Sequence, residues 1–435
     1  MKIAHISPGA GGMLCGACMH DNTLAGALMR QGHDVNLIPI YTPMRTDEED
    51  FSGTEVFFGA INVFLNQRSR LFRSLPSAMT HFLDRPGLLR RVATADAKID
   101  ASQMGALTVS MLQGEDGAQA RALEELVAAL RDHGRPDVVH LSNSLLLGMA
   151  HRLREELKVP VVCSLQGEEI FIHDLVAPYK EQVTDLLRRQ AVQVDGFIAP
   201  SAVYADVMAG VLGVGRDRIH HVPLGIHLDG HGGPRPARPA TPFVIGYLAR
   251  ICPEKGLHLL VEAVAQLVKK LGREAVRLRV AGYLGGRDRA YFEGIKAQVA
   301  QAGLEEIFEH VGEVDREGKI AYLKSLDVLS VPTPYHEPKG LFVLEALANG
   351  TPVVQPDHGA FPELVNDTGG GLLCAPDDPV DLARAFAELA ADPGLREELG
   401  RNGAAAVAER YNENLMADRT LAVYHRLIGG PAAGA

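Results

Sequence analysis

The 435-residue chain is too long for one ordinary domain and predicts two or three. Apolar residues make up 46% of it, ample for sizeable cores, yet no apolar run approaches the ~20 residues that a membrane span needs. With 43 Lys and Arg against 54 Asp and Glu, the net charge of −11 excludes a general nucleic-acid binder, so any phosphate recognition must be local.

The opening MKIAHISPGAGG reads as a strand, Lys2 to Ser7, entering a loop with Gly9, Gly11 and Gly12, and not as a signal peptide, so a cytoplasmic location is expected. The five cysteines, Cys15, Cys18, Cys163, Cys252 and Cys374, are an odd and sparse set that suits a reducing compartment. Cys15 and Cys18 form a CxxC with no second CxxC to complete the usual zinc spacing. His20 leaves a mixed site open, but an inert loop pair is the simpler reading, and no metal is expected. A helical pattern covers Asn22 to Gln31 and a second strand Asp34 to Pro39.

From Phe51 to Gly117 the rhythm lapses into a helical excursion in which Arg68, Arg70, Arg73, Arg85, Arg90 and Arg91 are interleaved with Leu71, Phe72, Leu75, Leu88 and Leu89. A solvated excursion is the plain reading, and a basic amphipathic surface resting peripherally on a membrane the sharper one. Alternation then resumes with a helix at Ala120 to Asp132 and apolar runs at Asp137 to Leu141, Val159 to Leu165 and Gly196 to Pro200, the pattern of parallel α/β units. Ligands collect at the C-terminal ends of such strands, which nominates Pro8 to Gly12, Gln166 to Glu169 and Ser201.

The Gly, Pro and His-rich segment 225–241 has no periodicity and is expected to link residues 1–224 to a second α/β domain, 242–412. Strands are predicted there at Phe243 to Tyr247, Arg277 to Ala281, Phe308 to Val311, Val328 to Val331, Pro352 to Gln355 and Gly371 to Cys374. A helical stretch from Leu382 to Ile428 closes the chain.

Two constellations carry chemistry. Arg250 and Lys255 follow a predicted strand end and precede a helix near Gly256, an arrangement suited to a diphosphate: fixed cations stabilise the charge that develops on a departing phosphate. The second is HEPKGLFVLEALANG, 336–350, where Pro338 and Gly340 precede a helix from Leu341 to Ala348 that is apolar everywhere except Glu345. A carboxylate on so apolar a helix must be neutralised, paired or given hydroxyl donors, and a ribose diol supplies two. The helix start at Gly340 and Leu341 offers backbone N–H groups to phosphate or sugar oxygens, with Glu337 in the loop beside them.

Glu337 and Glu345 with seven residues between them, followed by Ala346, Gly350, Pro352-Val353-Val354, Gly359 and Glu363, resemble the E-x7-E signature of the retaining family 4 glycosyltransferases. In the same order as in that family stand the glycine-rich start, LxxxGHDV ending at Val35, RPDVVH at His140, FIAPS at Ser201, VPLGI at Ile226, GYLARICPEKG at Gly256 and RLRVAG at Gly282. The resemblance implies an α/β GT-B fold, two Rossmann-like doubly wound parallel-sheet domains facing across a cleft, with a final helix near 413–435 returning to the first domain. It implies that Arg250 and Lys255 clamp a diphosphate without a divalent metal, that Glu345 binds the ribose and that Glu337 faces the donor sugar. Backbone around Lys339, Gly340, Leu341 and Phe342 would hold sugar and phosphate oxygens, and Gly11 and Gly12 would permit close approach to donor or acceptor. No cofactor is implied: the nucleotide diphosphate sugar is the donor substrate, and the acceptor is a glycan, lipid or small molecule that the residues do not name, any more than they name the nucleobase or oligomeric state.

The chain departs from the family's pattern at Lys339, where an apolar residue is common, at Leu224, where Asn is frequent, and at Gln166, where a His usually touches the donor sugar. Gln still donates and accepts hydrogen bonds but does not titrate. The expected activity is retaining transfer of a hexose. The alternatives are a same-fold epimerase or phosphorylase, or a non-catalytic nucleotide-sugar sensor or CxxC redox protein.

Overall fold

The computed structural model describes residues 1–9, 16–53, 101–132, 134–236 and 241–429. It divides into two units, Met1–Gly225 with Glu413–Ala435, and Ile226–Asn412. Gly11, Gly12 and Cys15 lie outside the described residues, as does 54–100 with every arginine of the expected excursion. Its tail is described, as a helix, Ala101–Leu112, and a short 3-10 turn, Gly114–Asp116.

The first unit is built on six strands among the described residues: β1 Lys2–Ser7, β2 Asp34–Pro39, β3 Val138–Leu141, β4 Val161–Ser164, β5 Gly196–Ala199 and β6 Ile219–His221. They pair in parallel in the order β2-β1-β3-β4-β5-β6. β3, β4 and β5 are buried throughout, as expected of strands covered by helices on both faces. β6 was not legible in advance, because Ile219-His220-His221 is a three-residue edge strand without an apolar run. The order reverses direction between β1 and β3, and the C-terminal ends of these two strands therefore open a crevice. On one face, helices Gly16–Arg30 and Glu413–Gly429 bury Leu24, Leu28, Met416 and Tyr424 against Ile3 and Val138.

The second unit repeats the plan with β7 Phe243–Leu248, β8 Val276–Ala281, β9 Phe308–Gly312, β10 Val328–Leu329, β11 Val353–Pro356 and β12 Gly371–Cys374, in the order β12-β11-β10-β7-β8-β9. All neighbours are parallel. Here the reversal lies between β7 and β10, and the loops that leave these two strands carry Arg250, Lys255 and Glu337. Part of the segment expected as a linker is fastened to this unit. Arg316 donates to the carbonyls of His227 and Asp229 at 2.9 and 2.7 Å, and Arg235 to that of Gly350 at 3.0 Å. Among the described residues no helix is long and apolar enough to cross a membrane.

Candidate active site

In the second unit β7 ends at Leu248 and a 3-10 turn, Pro253–Lys255, leads into the helix Leu257–Leu271. Gly256 joins the two at φ +69°, where an added Cβ would stand 1.9 Å from the carbonyl oxygen of Pro332. Only glycine fits there, and this close approach brings Lys255 against the chain that leaves β10. Its ammonium donates to Glu337 Oε2 at 2.7 Å and to the Tyr335 hydroxyl at 2.5 Å, and Tyr335 donates to the same Glu337 oxygen at 2.6 Å. Lys255 also lies over the Tyr335 and Phe342 rings, at 5.0 and 5.7 Å from their centroids.

Glu337 is buried, and burial alone would push its carboxyl up. The charge and hydrogen bond of Lys255, the Tyr335 hydroxyl and the charge of Lys339 outweigh that and hold it at about 2. Its other oxygen faces the backbone N–H groups of Lys339 and Gly340 at 3.3 and 3.4 Å, so the acid sits at the positive end of the helix Leu341–Ala348. Arg250 completes the cluster. Its carbonyl accepts from the Tyr247 hydroxyl at 2.8 Å, and its charge opposes the rise that burial imposes on both Cys252 and Tyr335. The structure thus gathers Arg250, Lys255, Glu337, Lys339, Gly340 and Phe342 around the first turn that Leu341 opens. Tyr335 joins them without any signal in the sequence.

Glu345 is satisfied differently. It lies one turn further along the same helix, 7% exposed, and Oε1 accepts from Lys319 at 2.5 Å. Lys319 belongs to the helix Arg316–Lys324 and is itself 5% exposed. The carboxylate that the sequence required to be neutralised, paired or hydrated by hydroxyls is paired by a cation of its own chain.

In the first unit a second polar cluster fills the crevice ends of β1, β3 and β4. Asp21 is fully buried in the helix after β1 and accepts from Ser7 at 2.8 Å, Ser142 at 2.5 Å and the Gln166 amide at 2.9 Å. His20 Nδ1 and His5 Nε2 lie 3.2 and 3.5 Å from Asp21 Oδ1. Burial would raise the Asp21 carboxyl, but these imidazoles hold it well below the usual range. His5 stacks on His140 at 4.4 Å, and His140 bridges Ser164 at 2.7 Å and Tyr424 at 2.6 Å. Gln166 also donates to the Ser142 carbonyl at 2.8 Å, and its own N–H reaches Glu168 at 2.7 Å. Glu168 in turn accepts from Ser144 N–H at 2.8 Å and Tyr204 at 3.1 Å. Asp21 was missed because its partners come from three strand ends and its helix shows no regular polar stripe.

Residues 234–406 match the family model described as "Glycosyl transferases group 1", and residues 110–229 the one described as "Glycosyltransferase Family 4". A D-inositol 3-phosphate glycosyltransferase from Xylanimonas cellulosilytica is 31% identical over 315 residues, 68% of this chain and 73% of that protein. One of the same name from Streptomyces bingchenggensis is 31% identical over 247 residues, 54% of each, so the chain spans about half of that relative's length. Among solved structures, sucrose-phosphate synthase from Thermosynechococcus elongatus superposes with a TM-score of 0.70 at 21% identity, covering 99% of both chains. Anabaena Alr3699/HepE in complex with UDP gives 0.66 at 18%, covering 97% of this chain and 99% of that one. At these identities the structural likeness is one of fold.

Proposed function

We propose that this chain, which belongs to the group 1 glycosyltransferases of family 4 and has their GT-B fold, moves a hexose from a nucleotide diphosphate sugar to an acceptor hydroxyl with retention and without a metal ion. The observation that carries this reading is the Lys255–Glu337–Tyr335 triangle at the start of the helix Leu341–Ala348, with Arg250 beside it. In the reaction the bond from the sugar C1 to the diphosphate oxygen breaks and one from C1 to the acceptor oxygen forms on the same face. The acceptor proton passes to the departing phosphate. Negative charge grows on that phosphate, and Arg250 and Lys255 are two fixed cations able to stabilise it as it forms. The protein's share is then positioning and charge stabilisation, with Glu337 holding sugar hydroxyls and Glu345 the ribose.

Tyr335 and Glu337 give Lys255 a fixed position before any ligand arrives, so little of the binding energy is spent on ordering a four-carbon side chain. Purified protein should hydrolyse or transfer from one member of a panel of UDP-, GDP- and ADP-sugars, UDP first because the Anabaena neighbour was solved with it. Activity should persist in EDTA. Unchanged turnover in both Glu345→Ala and Lys255→Ala would show the site assignment to be wrong, and loss of activity in EDTA would remove metal independence.

A further inference from the structure

The pair between Lys319 and Glu345 is the feature that the proposed chemistry leaves unexplained. Both residues are at most 7% exposed, they come from different helices, and their charged groups meet at 2.5 Å. A buried ion pair is poor evidence for stability, since an apolar pair of similar volume commonly serves the fold as well or better. Every other residue of Leu341–Ala348 is apolar, so this helix has no structural need of a charge at Glu345. The pair does have a chemical consequence. A buried carboxyl left to itself tends to take up a proton, and a protonated one loses acceptor capacity that a vicinal diol, with two O–H donors, requires. A cation from the neighbouring helix keeps both oxygens acceptors, and Oε1 can accept from Lys319 and from a hydroxyl at once, because each carboxylate oxygen has two lone pairs.

We propose that Lys319 is a positioning residue that holds Glu345 as an oriented carboxylate and so makes the donor site select ribonucleotides over 2′-deoxyribonucleotides. This rests on the donor site proposed above and names what that site reads. A deoxyribose leaves a charged, buried acceptor short of one donor, and an unmet polar group in a dry site is what discriminates most sharply between ligands differing by a hydroxyl.

The test is calorimetric titration of the full chain with UDP, GDP and ADP, each against its 2′-deoxy counterpart, with inorganic pyrophosphate as a probe that lacks ribose. The wild type should favour its best ribonucleotide by about 10- to 100-fold, the range for one hydrogen bond to a charged group. In Lys319→Gln that preference should fall to within ~3-fold of unity while pyrophosphate affinity holds within ~2-fold, because the diphosphate contacts are elsewhere. The double variant Lys319→Met/Glu345→Gln removes both charges, leaves no lone buried ion and should fold, with the same loss of preference; it tests the pair as a unit if the single variant melts at room temperature. Preference at the wild-type level in either folded variant, or none in a wild type that binds nucleotide, overturns the inference alone. A wild type that binds none of the three nucleoside diphosphates overturns the proposed donor site with it.

Discussion

Replacing Lys255 by Met should expose how strongly the candidate site depends on one buried ion pair. Glu337 has an ordinary value of 4.5 and is held at about 2. At ~1.4 kcal/mol per tenfold, that difference is about 3 kcal/mol of folding free energy carried by the ionised acid. Because the folded value is depressed, this stability is fully present above pH 4.5 and is lost as pH falls towards 2. Removing the cation leaves burial unopposed by its strongest counterweight, so the Glu337 carboxyl moves up. At pH 7 the variant then holds an uncompensated buried charge, at a cost of ~3–5 kcal/mol. On acidification the variant recovers as Glu337 takes up a proton, whereas the wild type only loses stability. Urea titrations of both proteins from pH 7 to pH 3 should therefore show a gap that narrows steadily. Adding Glu337→Gln to the variant should recover most of the loss at pH 7. A gap below ~1 kcal/mol at pH 7, or one that stays constant down to pH 4, would refute the coupling of Lys255 to Glu337.

Asp21→Asn turns one acceptor oxygen into an N–H₂, set against either Ser7 and Ser142, which share Oδ2, or Gln166, which meets Oδ1; it should cost ~2–3 kcal/mol and lower the melting temperature by about 5–10 °C, read by calorimetry. Gly256→Ala must push the Pro332 carbonyl aside from a 1.9 Å contact at φ +69° and should cost ~3 kcal/mol or more. Gly294→Ala, in a helix interior with nothing within 4 Å of the added Cβ, should stabilise by up to ~1 kcal/mol, and the two melts compared side by side check the reasoning. Tyr424→Phe removes the hydroxyl 2.6 Å from His140 Nδ1 and leaves a fully buried ring nitrogen without it, so a loss of ~1–2 kcal/mol is expected in the same assay.

The sheets were legible because parallel strands are buried on both faces. Runs such as Val139 to Leu141 or Val353 to Val354 need no alternation to be recognised, only polar or small residues at their ends. The helix Leu341–Ala348 was equally plain, with a left-handed glycine before it at φ +73° and a second glycine after it at φ +69°. β6 failed the same test for a physical reason: an edge strand with two histidines has neither a buried face pair nor an apolar run to betray it. The site was legible only as chemistry. Glu337 and Lys255 are 82 residues apart, and no local pattern joins them. What joins them is the parallel order, which sets β7 beside β10 and turns two separate loops into one wall.

The two carboxylates of the E-x7-E segment therefore differ in kind, although the sequence presents them alike. Glu337 is held by a cation that the proposed reaction also needs, so its partner must be shared with a phosphate when donor binds, and Tyr335 keeps a donor on the acid while that sharing lasts. Glu345 is held by Lys319, which has no part in the phosphate chemistry and comes from a helix fastened through Arg316 to the backbone of His227 and Asp229. Changing charge at Lys255 should thus disturb binding and turnover together, while changing it at Lys319 should disturb the reading of the ribose and leave the diphosphate contacts in place. The two lysines, at 2.7 and 2.5 Å from their acids, would have equal roles if pairing merely neutralised buried charge; unequal effects on turnover and selectivity distinguish a shared cation from a dedicated one.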